Sequence, residues 1–148
     1  MEMYTCFKDR RVDASALHLT HKYLGEVNYK SEIREIIKLV AKTACLQEVH
    51  TLWVDYSMDN LTHFGKDKDV PVYSFPDLKF EPSFVRLRKS LDKFRKDDFK
   101  PYIPHITITP YLDNLPKKAA LCLDEYCLYG NGKIFLRIPL IQQPYCTA

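Results

Sequence analysis

The chain has 148 residues, of which 46% are hydrophobic and 28% charged, with only four glycines and a formal net charge of +3 at pH 7. This composition excludes a disordered chain and a chain built around a long transmembrane run. The mild positive charge suits a small anionic ligand or an RNA end, and it argues against a long footprint on duplex DNA.

The length predicts a single domain over residues 1–148. Five cysteines, at positions 6, 45, 122, 127 and 146, form neither a CxxC pair nor a regular disulfide frame. No secretory hydrophobic segment follows the charged N-terminus. We therefore expect a cytoplasmic monomer with buried structural thiols and no membrane attachment.

The first half of the sequence predicts a hairpin, a helix and further strands. Residues 1–8 alternate like a strand, and a polar turn at 9–13 leads into a second strand within Ala16–Val27. After Asn28 the hydrophobic period becomes helical. The predicted buried stripe of this helix is Ile33, Ile36, Ile37, Val40, Ala41 and Ala44. Val49–Met58 then predicts a strand with Leu52, Val54 and Tyr56 on one face.

The second half predicts two hairpins around a helix. The segment Asp59–Asp69 reads as the long tip of a hairpin between the Val49–Met58 strand and Val70–Phe75, and Pro71 marks this second strand as an edge. Pro82 begins a helix with the buried stripe Phe84, Leu87, Leu91 and Phe94 and the outward cations Arg86, Arg88, Lys89, Lys93, Arg95 and Lys96. Leu121–Tyr129 and Lys133–Ile141 flank a Gly-Asn-Gly turn. This order predicts an α+β fold with two β-rich lobes.

One chemical device occurs twice in these strands. In ALHLTHKYLGEV (Ala16–Val27), strand alternation places His18, Thr20 and Lys22 on one face. In PHITIT (Pro104–Thr109), the same geometry groups His105, Thr107 and Thr109. Each copy pairs an imidazole that titrates near neutrality with a hydroxyl donor. Two copies facing across a cleft would supply a base, an acid and two oxygen-binding hydroxyls, which is the equipment for breaking a phosphodiester bond.

These segments resemble the two motifs of the 2H phosphoesterase superfamily, whose members include LigT. His18-Leu19-Thr20, followed by Tyr23-Leu24-Gly25, resembles the HLTLxFLG segment of that family, and Pro104-His105-Ile106-Thr107 resembles its PHxT motif. The resemblance implies a two-lobed, pseudo-two-fold fold with antiparallel sheets, flanking helices and a central cleft. It also implies that His18, Thr20, His105 and Thr107 are catalytic and that the partner is a small nucleotide.

Within the superfamily, the HLTHKYLG string is most similar to phage and viral anti-CBASS enzymes, which destroy cyclic-oligonucleotide immune messengers such as cGAMP. That similarity implies a phosphodiesterase for cyclic dinucleotides or oligonucleotides, acting in a host cytosol in immune evasion. The alternatives are a 2′,3′-cyclic or 2′,5′-phosphodiesterase for RNA ends or oligoadenylates, and a non-catalytic module that sequesters nucleotides. Two intact proton-transfer groups favour an enzyme over a pure binder.

Four other residues are candidate substrate contacts. Lys22 could neutralise a phosphate oxygen, although a strand lysine more often only solvates the strand. Tyr102 could stack on a base, whereas most aromatic residues build cores. His63 and Lys66 lie in a basic tip that reads as exposed. His21 should face away from the site, so His18 and His21 cannot share a metal ion, and we expect neither a metal nor another cofactor.

Overall fold

The computed structural model describes residues 1–10, 18–46, 51–55, 58–68, 70–94, 102–107 and 120–140. Within these ranges the chain has an α+β fold in which every strand pair is antiparallel, as predicted. The strands are β1 (Glu2–Lys8), β2 (His18–Glu26), β3 (Leu52–Asp55), β4 (Leu61–Phe64), β5 (Val70–Ser74), β6 (His105–Thr107), β7 (Ala120–Leu123), β8 (Glu125–Gly130) and β9 (Lys133–Pro139). The helices are α1 (Lys30–Leu46) and α2 (Pro82–Ser90). No helix in this part of the chain is long and apolar enough to cross a membrane.

Seven of the described strands form one large sheet, in the order β4-β5-β6-β2-β1-β8-β9, and β3 pairs separately with β7. The large sheet consists of two groups, β4 to β6 on one side and β1, β2, β8 and β9 on the other. The two groups join where β2 pairs with β6. This joint brings the two strands that carry the histidine and threonine motifs next to each other.

The core lies between one face of the large sheet and the helices. Ile36, Val40 and Ala44 of α1 are buried in it, while Ile33 and the rest of the predicted stripe are partly buried. Phe84 and Leu87 of α2 join the same cluster. Glu81 caps α2, since its carboxylate accepts hydrogen bonds from the backbone and hydroxyl groups of Ser83 at 3.3 and 2.8 Å. The periodicities that predicted both helices are therefore confirmed.

The predicted strand Leu121–Tyr129 is wrong in one respect, because it is two strands. β7 pairs with β3, whereas β8 pairs with β1, and Asp124 separates them. Asp124 is buried, and its carboxylate accepts from the backbone N–H of Arg10 at 3.0 Å and pairs with the Arg10 guanidinium at 3.1 Å. A buried carboxylate satisfied in this way interrupts the strand so that the chain changes sheets.

The edge position predicted from Pro71 is also wrong, since β5 lies between β4 and β6. The predicted hairpin between Val49–Met58 and Val70–Phe75 is wrong as well, because β3 pairs with β7. Pairing with β6 involves only Val72, Tyr73 and Ser74, so Pro71 precedes that ladder and its missing N–H is not needed there. At the other end of the sheet, the predicted Gly-Asn-Gly turn is confirmed. Asn131 and Gly132 take positive φ values of 50° and 78°, as a two-residue hairpin turn requires.

His21 of β2 is fully buried, as predicted for a histidine facing the core. Its Nε2 donates to the Phe84 carbonyl at 3.0 Å, and its Nδ1 lies 2.7 Å from the Tyr126 hydroxyl, which in turn lies 2.6 Å from the Thr5 hydroxyl. The pKa of His21 is lowered to about 3, mainly by burial; the hydrogen bond to Phe84 opposes this shift, and the charges of Arg88 and Lys22 add to it. The neutral ring thus connects β2 to α2.

This burial predicts acid-dependent stability. In the unfolded chain His21 takes up a proton below pH 6.5, whereas in the folded chain it does so only near pH 3. Between these values unfolding binds a proton, so the free energy of unfolding falls by up to about 1.4 kcal/mol per pH unit as the pH decreases. The measurement is urea unfolding of the wild type and of His21→Gln between about pH 7 and pH 5.

In the variant this contribution is absent, because glutamine does not titrate. We expect the wild type to lose about 2 kcal/mol more than the variant over that interval. Parallel pH profiles for the two proteins would contradict the assignment of His21 as a buried neutral residue.

Candidate active site

The site begins with a single pairing between two strands. Leu19 of β2 and Ile106 of β6 are directly opposed in an antiparallel ladder, and both side chains are buried in the core. Strand alternation then sends the residues on either side of each to the opposite face of the sheet. His18 and Thr20 therefore share this face with His105 and Thr107, and we call it the motif face.

Antiparallel register also sets the arrangement of these four side chains. Because Leu19 opposes Ile106, His18 lies opposite Thr107, and Thr20 lies opposite His105. The two histidines are diagonal neighbours, a relation that separates residues by about 7 to 8 Å in an antiparallel pair. The two threonines occupy the other diagonal. Such a square has an imidazole at two diagonal corners and a hydroxyl at each of the remaining corners.

The ring of His105 is oriented by its own strand and by a neighbour. Its Nδ1 donates to the carbonyl of Ile103 at 2.8 Å, because a carbonyl can only accept. Nε2 is then the nitrogen that can exchange a proton with a substrate. Phe64 of β4 packs edge-on against this ring, with the centroids 4.8 Å apart.

Two tyrosines occupy the corresponding position beside His18. The ring of Tyr129 lies 5.2 Å from that of His18, and Tyr4 stacks on Tyr129 at 5.2 Å. Burial is the main cause that raises the pKa of both phenols, so both remain neutral at physiological pH. Each histidine therefore has an aromatic neighbour, but that neighbour is not an acid or base near neutral pH.

Two other residues of the motif face were not identified from the sequence. Lys8 is fully buried and lies opposite His18 on β1, and burial lowers the pKa of its ammonium. Cys6 is the partner of Thr20, with its Sγ 3.9 Å from the threonine Oγ1. Tyr4, Cys6 and Lys8 alternate along the first strand of the predicted hairpin. This pattern could have predicted that Cys6 and Lys8 lie on the motif face.

The buried cysteines Cys6 and Cys127 support the structure and are not suited to nucleophilic chemistry. Cys6 and Cys127 are fully buried cross-strand partners. Burial raises the pKa of the Cys127 thiol to about 12 and also raises that of Cys6. Both thiols remain protonated, and a protonated thiol is a poor nucleophile. With Cys122 they confirm the predicted buried cysteines, whereas the side chains of Cys45 and Cys146 lie outside the description.

The prediction that Lys22 shares a face with His18 is wrong. On β1 the step from Cys6 to Thr5 is matched on β2 by two residues, from Thr20 to Lys22, so the register shifts by one residue at His21. Such a bulge interrupts the alternation of side chains. Lys22 is consequently buried, and its ammonium lies 2.5 Å from the carboxylate of Asp92, just beyond α2.

Tyr102 lies against α2. Its hydroxyl donates to the Thr20 carbonyl, and its ring stacks on Phe84 and lies under the guanidinium of Arg88 at 3.7 Å. Arg88 was expected to face outward, but it is half-buried and donates to the His21 carbonyl. These two side chains bind carbonyls of β2 just beyond its pairing with β6. The predicted outward cations Arg95 and Lys96, and Thr109 of the second motif, lie outside the described residues.

His63 and Lys66 are exposed in and beside the β4–β5 tip. Alternation along β4 places His63 on the face opposite to Phe64, whose ring contacts His105. The structure therefore does not bring either residue to the motif histidines, and their role as substrate contacts stays a prediction. Among the described residues, no group of three or more His, Cys, Asp or Glu side chains could hold a metal ion.

No family model and no curated protein sequence matches the chain. Solved structures do resemble it. Escherichia coli LigT in complex with 3′-AMP is 16% identical, with a TM-score of 0.59 over 95% of this chain and 98% of LigT. A crystal structure of a phosphoesterase is 15% identical, with a TM-score of 0.58 over 95% of this chain and 99% of the other.

A protein of Thermus thermophilus, TT0787, is 16% identical, with a TM-score of 0.57 over 95% of this chain and 98% of the other. At this identity the similarity shows the fold, and it extends over nearly the whole length of each protein. The chain has the fold of LigT, of that phosphoesterase and of TT0787.

Proposed function

We propose that this protein is a metal-independent phosphodiesterase for small nucleotides, with His18, Thr20, His105 and Thr107 as its catalytic residues. The observation that supports the proposal is the direct opposition of Leu19 and Ile106. It places two imidazoles and two hydroxyls on one face, although their motifs lie far apart in the sequence. If two His-x-Thr pairs lay in a sheet by chance, their central residues would rarely be directly paired on neighbouring strands.

In the proposed reaction, one histidine is neutral and removes a proton from the attacking oxygen of water or of a ribose 2′-hydroxyl. That oxygen forms a bond to phosphorus as the bond to the leaving oxygen breaks. The other histidine begins protonated and gives its proton to the leaving oxygen. Thr20 and Thr107 donate hydrogen bonds to the non-bridging oxygens, on which negative charge increases in the transition state. The reaction consumes water or the neighbouring hydroxyl and requires no metal.

Two features support a small nucleotide as the substrate. Structures of E. coli LigT, a protein with this fold, are complexes with 3′-AMP, NADP+ and ATP. In this chain, a partly exposed aromatic ring lies beside each histidine, that of Tyr4 on one side and that of Phe64 on the other. Aromatic rings bind bases by stacking without reading a long sequence.

We further propose that the substrate is a cyclic di- or trinucleotide. The aromatic rings lie at two opposite ends of the motif square, which suits a ligand with two bases around a central phosphodiester. This is the substrate class of the immune-messenger phosphodiesterases that the HLTHKYLG string resembles. The 2′,3′-cyclic ends of RNA and 2′,5′-oligoadenylates remain the alternative, because the same four side chains would serve those reactions.

Substitution of the motif residues tests the catalytic proposal. His18→Ala and His105→Ala should each lower kcat by about 10²- to 10⁴-fold, since each removes a general acid or base. Thr20→Ala and Thr107→Ala should cost less, because each removes one neutral hydrogen bond. Turnover is measured with saturating nucleotide, and the thermal unfolding temperature of each variant serves as the control for folding. Full activity in either histidine variant would disprove the site.

A panel of substrates tests the finer proposal. Purified protein is incubated with EDTA and with 3′,3′- and 2′,3′-linked cyclic dinucleotides, 2′,5′-oligoadenylate and RNA ending in a 2′,3′-cyclic phosphate, and products are separated by chromatography. We expect the cyclic dinucleotides to be cleaved fastest despite the chelator. Cleavage of only the RNA end would favour the alternative, and binding without cleavage would favour a sequestering module. Activity that EDTA abolishes and a divalent ion restores would contradict a metal-independent mechanism.

A further inference from the structure

A cavity of about 410 Å³ lies between α2 and Tyr102. It is separate from the motif square, because Phe84, one of its walls, packs on the core side chains of Phe7 and His21. Those side chains point to the face of the sheet opposite to the motif face. The volume is within the range of roughly 300–1,000 Å³ that small-molecule sites occupy. We call this space the α2 cavity.

Among the described residues that line the α2 cavity, positive charge predominates. They include the cations Lys79, Arg88 and Lys89 and one carboxylate, that of Asp92. Asp92 is paired with the buried ammonium of Lys22 at 2.5 Å, so its negative charge is already balanced. The remaining field attracts an anion, and the lysines are exposed enough to meet it. The cations come from two segments, the 3-10 helix Pro76–Phe80 and α2.

Aromatic surface lies next to these cations. Phe80 is 72% exposed, an unusual exposure for a phenylalanine, and the Lys79 ammonium lies 5.1 Å from its ring centroid. On the inner wall, the ring of Tyr102 is stacked on Phe84 and covered by the guanidinium of Arg88. Cations interleaved with aromatic faces bind nucleotides, since the rings stack with a base while the cations hold a phosphate.

We propose that the α2 cavity binds a nucleoside monophosphate, with the base on Phe80 and the phosphate between Lys79, Lys89 and Arg88. The site does not depend on the catalytic proposal, because none of its residues belongs to the motif square. The cavity is nevertheless linked to β2, the strand that carries His18 and Thr20. Tyr102 and Arg88 donate to the carbonyls of Thr20 and His21, so a nucleotide in the cavity touches the two side chains that support β2 beside the motif.

The test is a nuclear magnetic resonance titration of the ¹⁵N-labelled full chain with AMP. To remove competition from the motif face, it is carried out on the wild type and on the His18→Ala/His105→Ala variant. In both proteins we expect the amide signals of residues 79–92 to shift, with the same dissociation constant. Shifts confined to residues of β2 and β6 in the wild type, and absent from the variant, would overturn the proposal.

Charge reversals provide a matched comparison. Lys79→Glu/Lys89→Glu should weaken AMP binding by roughly tenfold or more, because it removes two charge-assisted contacts. Arg86→Glu/Lys93→Glu makes the same change in net charge at exposed positions that do not line the cavity, and it should have little effect. Equal weakening by both double variants would show general charge attraction and would contradict a defined site.

The identity of the ligand is tested by comparing the affinity for AMP with the affinities for adenosine and for inorganic phosphate. AMP should bind more tightly than either adenosine or inorganic phosphate, and Phe80→Ala should reduce the affinity for AMP but not the affinity for phosphate. Phe80 is exposed, so this variant should keep its fold. If inorganic phosphate bound as tightly as AMP, or if Phe80→Ala changed nothing, the base would not be recognised and the proposal would be wrong.

Discussion

The opposition of Leu19 and Ile106 is the contact on which the proposed chemistry depends. Each residue is buried, and burial of two large aliphatic side chains contributes about 3 to 6 kcal/mol to holding β2 and β6 in this register. A slip by one residue would move these aliphatic groups into solvent and the polar motif side chains into the core. Hydrophobic burial on one face of the sheet therefore specifies the alignment of the polar groups on the other.

The described pairing between β2 and β6 is short, and side chains continue it. Where β6 no longer pairs with β2, the Tyr102 hydroxyl and the Arg88 guanidinium bind the carbonyls of Thr20 and His21. One residue further, Lys22 pairs with Asp92. The buried ring of His21 adds hydrogen bonds to Phe84 and Tyr126. The contacts of Arg88, Phe84 and Asp92 attach the motif strand to α2 and to the turn after it, so the position of His18 and Thr20 depends on the packing of a helix behind them.

Much of this arrangement could be predicted from local patterns. Alternation in HLT and HIT correctly separated the polar residues from Leu19 and Ile106, and the helical periods correctly placed Ile36, Val40, Phe84 and Leu87 in the core. What local patterns could not provide was the partner of each strand. The two histidines are 105 − 18 = 87 residues apart, and no local preference determines that their strands become neighbours.

The wrong predictions have a common physical origin in tertiary contacts. The bulge at His21 reverses the face of Lys22, and the salt bridge to Asp92 compensates for burying that lysine. The helical pattern alone predicts that Arg88 is exposed, whereas in the structure it contacts the carbonyl of His21 and the ring of Tyr102. Asp124 divides a mostly hydrophobic run of sequence, because its carboxylate accepts from the backbone N–H of Arg10 and pairs with the Arg10 guanidinium.

The most direct test of the central claim, that the two motifs form one catalytic unit, is a double-mutant cycle on kcat. The rates of His18→Ala, His105→Ala and the double variant are compared with that of the wild type under saturating substrate. If both histidines act in one transition state, the double variant should be about as slow as the slower single variant. Losses that multiply would show two independent contributions and would contradict the account.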